Sequence, residues 1–262
     1  MAVKKEPSGR RSVEAQVEVP GTPEEVWQAI ATGPGISSWF VPTTLDEKVG
    51  GSTKSSFGPG MDSDAKITVW APAKRFVAES QEGPGTVATE WTFEARDGGT
   101  CVVRVVHSWF ATTDDWDGQF EGHSYGWITF FQNLRLYLQH FRGQASSIAA
   151  LSAMSKDNDA WDRLVGPLGL ADASAGARFA TPAGIPELRG VVEIVSPPQW
   201  PGLHLRLEQP VPGIAHLFAM PMGGPILLTV RLYLFGDAGR VATNHVEADW
   251  RRWLDRQFPP QT

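Results

Sequence analysis

The sequence predicts an α+β chain made of two tandem copies of one domain, each an antiparallel sheet followed by a long helix. Three observations carry that prediction. Residues 126–141, GWITFFQNLRLYLQHF, place Trp127, Phe130 or Phe131, Leu134, Leu138 and Phe141 at three- and four-residue steps, the period of a helix with one buried face. The residues before that run alternate apolar and polar side chains between Gly- and Pro-marked turns, as half-buried strands do. Several short segments of the first half then return, in the same order, in the second.

Met1 to Arg11 is polar and basic with Pro7 and Gly9, and it reads as a disordered tail. From Ser12 the residues Val13, Ala15, Val17 and Val19 alternate with Glu14, Gln16 and Glu18, a strand with one wet face. Pro20 and Gly21 end it. Thr22 with Glu25 has capping-box spacing and Pro23 sits at a tolerated first helical position, so a short helix is expected over EEVWQAIA. Gly33, Pro34 and Gly35 break it, and one further turn gathers Ile36, Trp39 and Phe40. An antiparallel meander follows, with strands expected at Ser52–Phe57, Ala65–Ala71, Lys74–Glu82, Thr86–Ala95 and Thr100–Phe110. Asp97-Gly98-Gly99 is the hairpin signal between the last two. In that pair of strands Trp91, Phe93, Val103, Val105, His107 and Trp109 share the apolar side. Thr112 to Tyr125 is polar and acidic and reads as a loop leading into the long helix, which Gly143 closes as a left-handed cap residue.

Beyond Gly143 the layout returns in weaker form. AWDRLVGPLGL at Ala160 is similar to VWQAIATGPGI at Val26, VEIVSPP at Val192 to ITVWAPA at Ile67, and TVRLYLF at Thr229 to VVRVVHSWF at Val102. The terminal EADWRRWLDRQF matches FFQNLRLYLQHF. A period of roughly 115 to 135 residues exceeds any solenoid unit and implies two domains, residues 12–143 and 144–262. Between the repeated segments, residues 144–159 show no strong pattern, GDAGRVATNH reads as a turn, and EQPVPGIAHLFAMPMGGPI as a Pro/Gly/Met stretch between strands.

A formal net charge of −6 and the lack of a basic stripe exclude a nucleic-acid surface. The single cysteine, Cys101, excludes an intramolecular disulfide, and no apolar run approaches the length of a membrane span. With no apolar secretion signal, a cytoplasmic location is expected. Eleven Trp and thirteen Phe supply a large aromatic area to bury.

The start VEVPGTPEEVW at Val17 and the finish Gly-Trp, then Leu134 and Leu138, resemble the helix-grip superfamily, also called SRPBCC or START-like. The resemblance is to its branch of activator of heat-shock protein 90 ATPase homologues. It covers residues 12–142 and, more faintly, 148–258. It implies a curved antiparallel sheet wrapped around the long C-terminal helix, with an apolar cavity between them that in relatives holds lipids, hormones, polyketides or aromatic compounds.

On that expectation the wall of a first-domain site would comprise Trp39, Phe40, Trp91, Phe93, Val105, His107, Trp109, Tyr125, Trp127, Phe131 and Leu134, with Thr89 as a further polar group. His107 is the one candidate acid or base, on the apolar side between Val105 and Trp109; a cavity-wall histidine is the plainer reading. Asp114, Asp115, Asp117 and Glu121 lack the spacing of a calcium loop and read as a solvated acidic surface, so no metal is expected. There is no Gly-x-Ser-x-Gly elbow or phosphate loop, and no cofactor is implied. The leading expectation is a non-enzymatic protein binding a hydrophobic or aromatic small molecule, with the second copy as structural partner. A cyclase- or dehydratase-like reaction using His107, and a chaperone- or stress-linked interaction module, are the alternatives. A monomer carrying an internal pseudo-dimer is expected, with a homodimer as the other arrangement.

Overall fold

A computed structural model describes residues 3–58 and 60–259, the side chains of residues 123–125 excepted. The chain divides into two compact units, Met1–Gly143 and Gln144–Thr262.

The first unit runs β1 (Lys4–Lys5), β2 (Arg10–Pro20), α1 (Pro23–Ile30), α2 (Gly33–Ser37), β3 (Thr43–Leu45), β4 (Ser52–Ser56), β5 (Asp62–Ala71), β6 (Arg75–Glu82), β7 (Gly85–Arg96), β8 (Thr100–Phe110) and α3 (Asp117–His140). Its antiparallel sheet has the order β1-β2-β8-β7-β6-β5-β4-β3. The first long strand therefore pairs with the last, and the meander returns outward from there. Local signals in the sequence account for α1. Thr22 Oγ1 accepts from the Glu25 backbone N–H while the Glu25 carboxylate accepts from the Thr22 N–H, the reciprocal cap that its spacing predicts. At the far end of α3, Gly143 takes φ +75° and donates its N–H to the Tyr137 hydroxyl at 3.2 Å.

The second unit runs β9 (Ser146–Ser155), α4 (Ala160–Val165), β10 (Arg178–Ala180), β11 (Arg189–Val195), β12 (Gly202–Gln209), β13 (Gly213–Pro221), β14 (Ile226–Phe235) and α5 (Gly236–Gln257). Its sheet order is β10-β11-β12-β13-β14-β9. First strand beside last, meander outward and a closing long helix repeat the plan of the first unit. Both units are α+β helix-grip domains. The inner face of the second is aliphatic: Leu203, Leu205, Leu217, Val230 and Leu232 are buried with Trp250, Trp253 and Leu254 of α5. Its other face carries a buried row in which His204 of β12 opposes His216 of β13, and His216 opposes Arg231 of β14. The two imidazoles stack at 4.4 Å.

Five expectations need correction. Residues 3–11 are ordered against the sheet, because Lys4 and Lys5 pair with Ser12 and Arg11 and because Arg11 is buried in an ion-pair cluster. Helix α3 begins at Asp117 rather than near Gly126, so the second half of the acidic loop is helical. The Ser- and Ala-rich run after Gly143 is β9, which pairs with β14 along all ten residues of both strands. Likewise β13 lies inside the Pro/Gly/Met stretch, and GDAGRVATNH is the start of α5, not a turn. That abrupt change from strand to helix depends on glycine: Gly236 has φ +69°, and a Cβ on Gly239 would stand 2.2 Å from the Leu234 carbonyl oxygen.

Candidate functional site

Register places the candidate residues in rows across the inner face of the first sheet. One row runs Ala15–Val105–Trp91–Phe76–Trp70, and the next runs Val13–His107–Thr89–Ala78–Ile67. On its other side Arg11 opposes Trp109 and Ser80 opposes Val87. Alternation along the strands fixes this arrangement, because every second side chain faces α3.

The aromatic wall packs on itself. Trp127 of α3 meets Trp91 edge-on at 4.9 Å and stacks on Phe40 at 4.9 Å and 14°. Phe131 lies 6.0 Å from Trp91 and 6.5 Å from Trp39. Trp39 is fully buried and its indole N–H donates to the Ala29 carbonyl at 2.8 Å, tying the turn after α2 to α1. Phe93 reaches Trp27 at 5.2 Å. Val105 and Leu134 are buried, as are Trp39, Phe40, Trp91, Phe93, Trp109 and Phe131. Between the middle of α3 and the sheet the rings are in direct contact, with no gap of ligand width between Trp91 and Trp127.

The row through His107 behaves differently. His107 and Thr89 are half-exposed, although Val105 (0%) and Trp91 (4%) flank them on one side and Trp109 (1%) and Val87 (0%) on the other. Trp127 and Phe130, on α3, are half-exposed as well. Solvent therefore reaches the inner face at these side chains, while Val13, Ala78 and Ile67 of the same row stay buried, and this opening is local. Its polar groups form a chain: the Trp127 indole N–H donates to His107 Nε2, and His107 Nδ1 lies 2.9 Å from Thr89 Oγ1. With Nε2 accepting and Nδ1 facing the hydroxyl, the imidazole is held as a structural and orienting group rather than turned to exchange a proton. The Tyr125 side chain, also named from the sequence, lies outside the described residues.

One end of the opening is fixed by residues that sequence reading assigned to a tail and a loop. Phe120 stacks on Trp109 at 4.0 Å and 21°. Arg11 Nη1 donates to both Asp117 oxygens at 2.8 and 2.7 Å, Arg11 Nη2 pairs with Asp114 at 2.8 Å, and Lys5 Nζ reaches both carboxylates at 2.9 Å. Hydrogen bonding from Lys5 and then Arg11 holds the Asp114 carboxyl below the usual aspartate range. Two of the acidic residues read as solvated surface thus anchor the first turn of α3, where negative charge also favours the helix dipole. Trp116 lies so close to the β6–β7 turn that a Cβ on Gly83 would stand 1.9 Å from its ring.

Cys101 is buried, and that burial raises its thiol pKa, so it is inert core. Among the described residues no cluster of three His, Cys, Asp or Glu side chains forms a metal site, and no helix is long and apolar enough to cross a membrane. Sequence reading missed Trp27, Trp70, Phe76 and Phe120 as partners of the wall. Trp70 and Phe76 were readable from strand alternation once the β5–β6 pairing was known, but Phe120 gave no sign because it was read as loop.

No curated protein matches the chain. Among solved structures it is similar to protein MLL2253 from Mesorhizobium loti, at 22% identity over 50% of this chain and 98% of that one, with a TM-score of 0.45. DynU16, from the dynemicin biosynthetic locus, is 17% identical over 91% of this chain and 94% of its own, TM-score 0.44. The Aha1 dimer from Colwellia psychrerythraea is 23% identical over 50% of this chain and 98% of that one, TM-score 0.41. The family described as Activator of Hsp90 ATPase homolog 1-like protein matches residues 20–139, from the end of β2 to the last turn of α3. Over that span the first unit is similar to the family of Activator of Hsp90 ATPase homolog 1-like proteins.

Proposed function

We propose that the first unit binds a hydrophobic or aromatic small molecule at the opening beside Thr89, His107 and Trp127, without catalysing a reaction on it. The observation that carries this reading is a pair of half-exposed polar side chains, Thr89 and His107, set among buried residues of the inner face. A pocket for a small apolar ligand needs that combination, an aromatic surround and a few oriented polar groups. The helix-grip fold of the family, which commonly encloses hydrophobic ligands, agrees with it. Trp39, Phe93, Val105 and Leu134 serve as the packed floor in this proposal, and the ligand meets Trp127 and Phe130. The second unit, filled by leucines, acts as a structural partner.

Catalysis by His107 is the weaker reading because the Trp127 N–H occupies Nε2. Titration with fatty acids, polyketides and flavonoids, followed by tryptophan fluorescence, tests the proposal. Saturable quenching or enhancement by one class is expected; no saturable change with any class removes the binding reading.

A further inference from the structure

We infer that Thr89 is the hydrogen-bond donor of this opening, and that the ligand it selects is an uncharged, flat aromatic molecule carrying a carbonyl or ether oxygen. This rests on the binding reading given above and goes further by assigning the specificity-determining group. An indole N–H donates and cannot accept. Since Trp127 donates to His107 Nε2, that nitrogen presents its lone pair, and a neutral imidazole then carries its proton on Nδ1. Nδ1 faces Thr89 Oγ1 at 2.9 Å, so the imidazole donates and the hydroxyl oxygen accepts. The hydroxyl has one proton of its own, which must point away from the ring that it accepts from. Thr89 is half-exposed at the opening, so that proton is available to a ligand oxygen.

The same geometry sets the charge and shape of the ligand. The half-exposed rings of Trp127 and Phe130 offer aromatic surface, which favours stacked or edge-on aromatic partners. A carboxylate would need a cation, since burying an unpaired charge is strongly unfavourable. Arg11 shares this face, but its guanidinium donates to Asp117, to Asp114 and to the Ala111 carbonyl. The relay is therefore a neutral recognition device: Trp127 sets the imidazole tautomer, the imidazole sets the hydroxyl, and the hydroxyl reads an acceptor.

The test compares fluorenone, fluorene and fluorene carboxylate, which share one ring system, on the full chain and on Thr89→Val and Thr89→Ser. Fluorenone is expected to bind the unaltered protein roughly three- to tenfold more tightly than fluorene, the effect of one net hydrogen bond. The carboxylate is expected to bind more weakly than either. Thr89→Val, which keeps the shape and loses the donor, abolishes the preference for fluorenone, and Thr89→Ser keeps it. Equal affinities in the unaltered protein, or a preference that survives Thr89→Val, overturn the inference while leaving the binding reading intact. If none of the three compounds binds, the assignment of a flat aromatic ligand fails, the titration with fatty acids, polyketides and flavonoids decides the binding reading, and nitrogen-15 spectra of His107 decide the relay separately. A ring protonated on Nδ1 upholds it and a ring protonated on Nε2 overturns it.

Discussion

Trp127 of the long helix donates its indole N–H to Nε2 of His107 in the sheet, with the two rings 5.8 Å apart and inclined by 27°. The bond joins the two layers of the first unit where His107 and Thr89 leave the inner face half-exposed. Trp127→Phe keeps a ring in the stack on Phe40 and removes the donor. The substitution is expected to cost about 1 kcal/mol, the net worth of one hydrogen bond. It should also release the imidazole from a single tautomer. Urea unfolding measures the first effect, and nitrogen-15 spectra of His107 measure the second. A variant with unchanged stability and an unchanged single tautomer contradicts the assignment.

The anchor at the start of α3 predicts an asymmetry between its partners. Removing the Asp117 carboxylate leaves the Arg11 guanidinium with Asp114 and the Ala111 carbonyl, and breaking an ion pair from one side destabilises because the remaining charge is left undercompensated. Replacing both partners removes the uncompensated charge. Asp117→Ala should therefore be more destabilising than the double variant Arg11→Met, Asp117→Ala. Hydrogen exchange should show the loss first over residues 117–126. Additive or larger destabilisation in the double variant contradicts the account.

Glycines in the same region separate two roles. Gly122 is exposed within α3, and a Cβ there would meet nothing within 4 Å beyond its own helix. Gly122→Ala is expected to stabilise the first unit by about 0.8 to 1 kcal/mol through helix propensity. Gly83→Ala would put a methyl group into the ring of Trp116 and should destabilise the protein and displace that tryptophan. Denaturant midpoints of the two variants should move in opposite directions. Movement in the same direction refutes the assignment of roles.

In the second unit, burial first, then the neighbouring His204 and Arg231, hold the His216 pKa well below its usual 6.5. A depressed folded-state value means that the unfolded chain binds the extra proton first as pH falls. The resulting stability is complete above pH about 6.5 and declines below it, by up to about 1.4 kcal/mol per pH unit for one proton. His216→Phe should flatten that dependence between pH 6.5 and 5. Unfolding curves across this range check it, and an unaltered slope in the variant would locate the titration elsewhere.

Where a residue's role is set by near neighbours, the sequence reveals it. The Thr22–Glu25 cap, the Gly98-Gly99 turn and the alternation that turns His107 inward are of this kind. Where a role is set at a distance, it does not. Gly118, Gly122 and Gly126 blur the helical period of the first turns of α3, which are held instead by Arg11 and Trp109, far away in the chain. Small Ser and Ala side chains hide β9, whose identity depends on pairing with β14. At the site, the inward face of His107 was legible, but its bond to Trp127 depends on how α3 is rotated, and its bond to Thr89 on strand register. Neither quantity is written in a local pattern.

The most direct test of the binding site follows the indole N–H of Trp127 in proton–nitrogen spectra while flavone is added to the full chain. All eleven tryptophans contribute to bulk fluorescence, which reports binding, whereas this resonance reports the opening itself. The account predicts saturable shifts of the Trp127 N–H and of His107 at one common affinity, with the Trp250 and Trp253 resonances of the second unit unmoved. Saturable binding that leaves Trp127 and His107 unshifted would contradict it.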